Sequence, residues 1–117
     1  MAKRRPESTY TLRVELEGIE PLVWRRLRVD GSASLGRLHH YIQAAMGWTD
    51  AHLHEYEIAG TTYAIPHPDD DPTRDITDER RTRLDRLATV GDHFLYRYDF
   101  GDNWTHRVVV ERVEPTE

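Results

Sequence analysis

Between Tyr10 and Glu17 apolar and polar residues alternate without a break, with Tyr10, Leu12, Val14 and Leu16 on one side and Thr11, Arg13, Glu15 and Glu17 on the other. Successive side chains of an extended chain point to opposite faces, so this period of two predicts a strand with one buried face. Gly18 to Pro21 turns the chain, and a second strand follows over 22–29, with Val23, Leu27 and Val29 on one face and Trp24, Arg26 and Arg28 on the other. The two strands should form an antiparallel hairpin. The period then changes. Leu35, Leu38, Ile42, Ala45 and Met46 recur at spacings of three and four, which predicts a helix over 35–46 with that stripe on the sheet. Ser34 is a good N-cap, and Gly47 sits where a left-handed residue would stop the helix.

Alternation resumes over 51–58, which as a strand puts His52, His54, Tyr56 and Ile58 on one face. Gly60 turns the chain into a short strand, Thr61 to Ile65. Residues 66–80 have no period and are rich in proline and aspartate, which predicts a mobile acidic loop. Leu84 and Leu87 suggest a short helix near 82–88. Phe94, Tyr96 and Tyr98 then share one face of a strand, and His106, Val108 and Val110 share one face of the last. Between them, Asp99-Phe100-Gly101-Asp102-Asn103 reads as a tight turn. Hairpins gathered around one principal helix predict an α+β domain: a mainly antiparallel, or mixed, sheet with that helix on one face and a short second helix. The domain should span 9–113, between a disordered basic tail over 1–8 and a short tail over 114–117.

Composition narrows the function classes. The chain has 117 residues, 38% hydrophobic and 32% charged, enough for one core and not for two. A formal net charge of −5 disfavours nucleic-acid coats and anionic membranes, both of which need a positive field. Lys3 is the sole lysine, so arginine carries the basic charge and suits planar pairing with surface carboxylates. Without cysteine, any metal must take nitrogen and oxygen ligands. No apolar run approaches a membrane span, and the basic N-terminus lacks the apolar segment of a secretory signal, so a cytoplasmic location is expected.

Several spaced motifs carry a resemblance. They are Pro21-Leu22-Val23-Trp24-Arg25-Arg26, Leu35 with Leu38-His39, Gln43, Gly47-Trp48, and Asp50-Ala51-His52-Leu53-His54-Glu55-Tyr56. The last is Tyr96-Arg97-Tyr98-Asp99-Phe100-Gly101-Asp102-Asn103-Trp104-Thr105-His106. In these motifs and their order the chain resembles the plasmid pRiA4b ORF-3-like family. The resemblance implies an α+β fold in a largely uncharacterised bacterial and archaeal family, some of whose members travel in insertion elements under a resolvase-type name. That name does not transfer. A serine resolvase needs a helix-turn-helix for which this chain has no length.

Two constellations are candidates for chemistry. His52, His54, Asp99, Asp102 and His106 offer imidazole and carboxylate ligands suited to a divalent ion such as zinc, manganese, iron(II) or nickel, provided that the two hairpins lie side by side. His39, on the apolar side of the helix, could approach the same place. Trp24, Arg25, Arg26, His39, Trp48, Tyr56 and Trp104 suit a pocket for an anionic or planar ligand. Each residue also has a structural role open to it. The aspartates can bond turn amides, the histidines can sit hydrogen-bonded at a sheet end, and the tryptophans can be core. The expected function is therefore a non-enzymatic binding or interaction module for a protein or small ligand, with pairing to a second copy through a free hairpin edge a further option. The alternative is a metal-dependent hydrolase with a metal-bound water as nucleophile and Asp99 or Glu55 as base.

Overall fold

A computed structural model describes residues 7–116. In chain order the elements are β1 (Ser8–Leu16), β2 (Val23–Asp30), α1 (Leu35–Met46), β3 (His54–Ile58), β4 (Thr61–Ala64), β5 (Ile76–Asp78), two 3-10 turns (Glu79–Arg81 and Leu84–Arg86), β6 (His93–Tyr98) and β7 (Trp104–Pro115). The strands form one sheet in the order β2-β1-β7-β6-β3-β4-β5. All neighbours run antiparallel except β4 and β5, so the sheet is mixed and the fold is α+β.

The alternation seen in the sequence is what builds the core. Leu12 and Val14 of β1, Val108 and Val110 of β7, Phe94 and Tyr96 of β6 and Tyr56 of β3 all turn to one face, where Leu35, Leu38 and Ile42 of α1 cover them. The helix begins at Ser34, whose hydroxyl accepts the Arg37 amide at 3.1 Å, and it ends at Gly47 with φ 77°. Such an N-cap contributes about 1 kcal/mol. The opposite face of the sheet is a lattice of ion pairs: Arg26 with Glu111 at 2.7 Å, Arg13 with Glu15 at 2.9 Å, and Arg97 with Glu57 at 2.6 Å. Arginine does take up carboxylates on the surface, as the composition suggested.

Several expectations are corrected or refined. The strand expected over 51–58 starts only at His54, because β3 first pairs where His54 meets Tyr98. Before it, Asp50 takes φ 56° and the chain runs irregularly, with Leu53 accepting the Asp99 amide at 2.9 Å. His52 and His54 therefore do not share a strand face. The segment 66–80 holds structure: β5 pairs parallel to β4, and Glu79 opens a 3-10 turn. Three residues are too few to show a period. The short second helix is the 3-10 turn Leu84–Arg86, tied to the start of α1 through Leu84 N–H to Ala33 C=O at 2.9 Å. At the ends, Ser8 pairs with Pro115, so strand extends into both predicted tails; residues 1–6 of the basic tail lie outside the described residues. Among the described residues no helix is long and apolar enough to cross a membrane.

Candidate functional site

The hairpins β3–β4 and β6–β7 do lie side by side, joined by β3 against β6. What they bring together is not the full set that the sequence suggested. His106 is completely buried on β7 and both its ring nitrogens are engaged. The Trp48 indole N–H donates to Nε2 at 3.0 Å, so Nδ1 must carry the proton, which it donates to the Tyr96 carbonyl at 3.1 Å. Burial lowers the pKa of this histidine, consistent with a neutral ring. His106 thus fastens the Trp48 loop to the sheet and has no lone pair left for a metal.

The acidic turn is similarly engaged. Asp99 accepts the amides of Gly101 at 3.1 Å and Asp102 at 3.5 Å, and the Asn103 amide bonds the Asp99 carbonyl. The positive φ values in this turn fall on Asp99 (61°) and Asn103 (56°). Asp and Asn tolerate this region because their short polar side chains bond the local backbone. His52 comes to 3.6 Å from Asp99 on the exposed surface. Asp102 is exposed.

His54 goes elsewhere. Its Nε2 lies 2.8 Å from each carboxylate oxygen of Glu79, and the hydrogen bond goes to Oε2. Glu79 is 0% exposed, and its Oε1 has no hydrogen-bond donor among the described residues. A buried lone pair without a donor is costly, about 1–3 kcal/mol, and marks this carboxylate as unusual. The main chain holds Glu79 here. β5 delivers it, the Asp78 carboxylate caps its 3-10 turn at the Arg80 amide (2.9 Å), and Leu35 N–H bonds Thr82 C=O at 2.9 Å.

His39 of α1 stacks on His54, ring centroids 3.6 Å apart and planes 10° from parallel. Its own bonds fix its tautomer. Gln43 donates its amide to the Tyr96 hydroxyl at 2.9 Å, and that hydroxyl donates to His39 Nδ1 at 2.6 Å. His39 Nε2 therefore carries the proton, which it gives to Asp50 at 2.7 Å. Gln43 also accepts the Asp50 amide through Oε1 at 2.7 Å, which fixes the loop after α1. Burial, reinforced by the neighbouring His54, lowers the His39 pKa, and the Asp50 hydrogen bond partly offsets this. Burial likewise raises the pKa of the Tyr56 and Tyr96 hydroxyls, keeping both as neutral donors.

One ligand atom from each of His39, Asp50 and His54 falls within 4.8 Å of the others. These residues and Glu79 line a cleft of about 320 Å³ between α1, β3 and the first 3-10 turn. The hydrogen bonds sort the members. His39 uses both nitrogens, whereas His54 uses one and keeps Nδ1 without a partner among the described residues. Asp50 is 47% exposed and can turn an oxygen to the cleft. An imidazole lone pair lies in its ring plane, so an ion seated on one of two stacked rings lies out of the plane of the other. Asp50 and His54 are thus the ready ligands, with His39 and Glu79 behind them as hydrogen-bonding partners. That is the carboxylate–histidine arrangement that orients metal ligands in general.

The aromatic pocket is divided. Trp24 lies on the ion-paired face, under the guanidinium of Arg13 at 4.1 Å and near that of Arg26 at 5.1 Å. Trp48 and Trp104 pack on each other, half-buried, on the helix side, with ring centroids 5.5 Å apart. Tyr56 is completely buried and donates to the Leu35 carbonyl at 2.7 Å. Arg25 is exposed on β2, and His39 belongs to the cluster above. Sequence patterns missed Glu79, since nothing in Asp78-Glu79-Arg80-Arg81 marks one carboxylate as buried. Asp50 was within reach, because it opens one of the motifs that carry the resemblance.

Comparison with known proteins agrees with those motifs. The family model described as "Plasmid pRiA4b ORF-3-like protein" matches residues 8–117. "Uncharacterized protein y4hQ" of Sinorhizobium fredii is 40% identical over 114 residues, covering 92% of this chain. The crystal structure of a protein of unknown function, MM3350 from Methanosarcina mazei Go1, superimposes with a TM-score of 0.85 at 34% identity, covering 98% of this chain. The chain spans 56% of the length of the first relative and 66% of the second. It belongs to the plasmid pRiA4b ORF-3-like family.

Proposed function

We propose that the chain is a non-enzymatic binding module that takes a divalent transition-metal ion in the cleft between α1 and β3. Asp50 and His54 ligate the ion, His39 and Glu79 hold those two ligands in place, and water fills the remaining positions. The observation that carries this is the buried Glu79 behind His54: a carboxylate with an undonated oxygen, 2.8 Å from an imidazole whose other nitrogen has no partner among the described residues. Such a carboxylate raises the basicity of the ring and directs its free lone pair outward. Nitrogen and oxygen donors favour zinc, nickel, iron(II) or manganese over calcium. Calorimetric titration of untagged protein with zinc and with nickel tests it. The expected result is one ion per chain, with binding lost in Asp50→Ala and weakened in His39→Ala. Equal affinity in wild type and Asp50→Ala would refute it.

A second reading, a metal-dependent hydrolase, draws on the water positions of such an ion and on exposed Leu53, Ile65 and Phe100 beside the cleft. The bases expected for it are engaged elsewhere, Glu55 between Arg74 and Arg97 and Asp99 in its turn. Turnover of chromogenic phosphate and carboxylate esters by metal-loaded protein, abolished in Asp50→Ala, would establish it over simple binding.

A further inference from the structure

The two edges of the sheet differ. β5 closes one side with three residues and passes straight into a 3-10 turn, which leaves little for another strand to pair with. β2 closes the other side with eight residues, in unbroken register with β1 and paired with nothing else among the described residues. It contains no proline or bulge of the kind that blunts an edge. Between this edge and α1 runs a groove of about 630 Å³ whose walls include Leu27, Val29, Tyr41, Ala44 and Ala45. Arg25 and Arg28 stand exposed on the strand without a carboxylate partner among the described residues, Arg25 bonding only the Trp24 carbonyl, whereas Arg26 is paired with Glu111. Asp30, at the end, is the one acid on the strand.

We infer that β2 is a docking edge for an extended acidic segment of a partner protein. The segment adds as a further strand beside β2. Main-chain hydrogen bonds supply affinity, apolar side chains on one face of the segment enter the groove beneath α1, carboxylates on its other face meet Arg28, and one on the groove face meets Arg25 beyond Leu27. Charge selects this occupant over a second copy. Antiparallel pairing of β2 with itself would bring the arginines of two chains together on one edge, and like charges opposite one another destabilise a ladder. This inference is independent of the metal site, which lies on the other flank of α1 toward β3.

The probe is a synthetic peptide that alternates glutamate with valine and carries glutamate in place of the valine nearest Arg25, with its lysine counterpart as control. Amide chemical shifts and hydrogen exchange of the full chain locate binding. The expected result is saturable binding of the glutamate peptide, new protection confined to the amides of 23–30, weakening with salt, and a loss of roughly tenfold or more in Arg25→Glu/Arg28→Glu. Both positions are exposed, so the variant keeps the fold, and Arg25→Gln/Arg28→Gln should fall between it and wild type. Binding of neither peptide, equal binding of both, or affinity indifferent to charge reversal overturns the inference. So does concentration-dependent protection of β2 without peptide, which would assign the edge to a second copy.

Discussion

The turn after β6 and the cleft between α1 and β3 both gather histidines and carboxylates, and of these two the cleft is the one with buried chemistry left over. Around the turn after β6, Asp99 bonds turn amides, His106 is clamped between the Trp48 indole and the Tyr96 carbonyl, and Asp102 points into solvent apart from them. Around α1 and β3, His54 leans on a buried glutamate with an undonated oxygen, and Asp50 faces an open cleft. Residue types are alike in the two places. Unused lone pairs, rather than the presence of histidine and aspartate, separate a candidate site from a well-made turn.

Substitutions can break that distinction, and the largest effect is expected at His54. His54→Ala strips the side-chain partner found among the described residues from a carboxylate that is 0% exposed, so it should cost about 3–5 kcal/mol in urea unfolding at neutral pH. The same change combined with Glu79→Gln should recover part of the loss, which a double-mutant cycle will read. His106→Ala comes next. It removes a buried ring and leaves the Trp48 indole N–H unpaired, for about 2–4 kcal/mol of stability, with metal affinity unchanged. Asp50→Ala inverts the pattern, costing only about 1 kcal/mol of stability while abolishing metal binding.

Acid sharpens the structural half of the comparison. Burial holds the His106 pKa below its ordinary value of 6.5, so the unfolded chain binds that proton first. Its contribution to stability is therefore complete above about pH 6.5 and is lost as pH falls toward the folded-state pKa. Unfolding free energies from pH 8 to 5 should fall more steeply in wild type than in His106→Ala. Smallest of all is Asp102→Ala, an exposed turn residue, expected to move stability by less than about 0.5 kcal/mol and metal affinity not at all.

Much of the fold was legible because its strands are half-buried and its helix amphipathic. Leu12, Val14, Val108 and Val110 announce their faces by alternation, and Ser34 and Gly47 announce the helix ends. β5 was illegible, since three residues carry no period, and with it went Glu79. The site suffered a related blindness. Pattern places a side chain on a face but does not say which lone pairs its neighbours occupy. His106 looked like a ligand until Trp48 was seen donating to it. His39 was placed rightly on the buried side of the helix, but its tautomer depends on Tyr96 and Gln43, far apart in the chain and adjacent only in the fold.

The most direct test is the metal content of untagged protein after equilibration with zinc and desalting, measured beside Asp50→Ala and beside Asp99→Ala/Asp102→Ala. The account predicts one ion per chain in wild type and in the turn double variant, and none in Asp50→Ala. Metal retained by Asp50→Ala and lost from the turn double variant would contradict it, returning the site to the turn after β6.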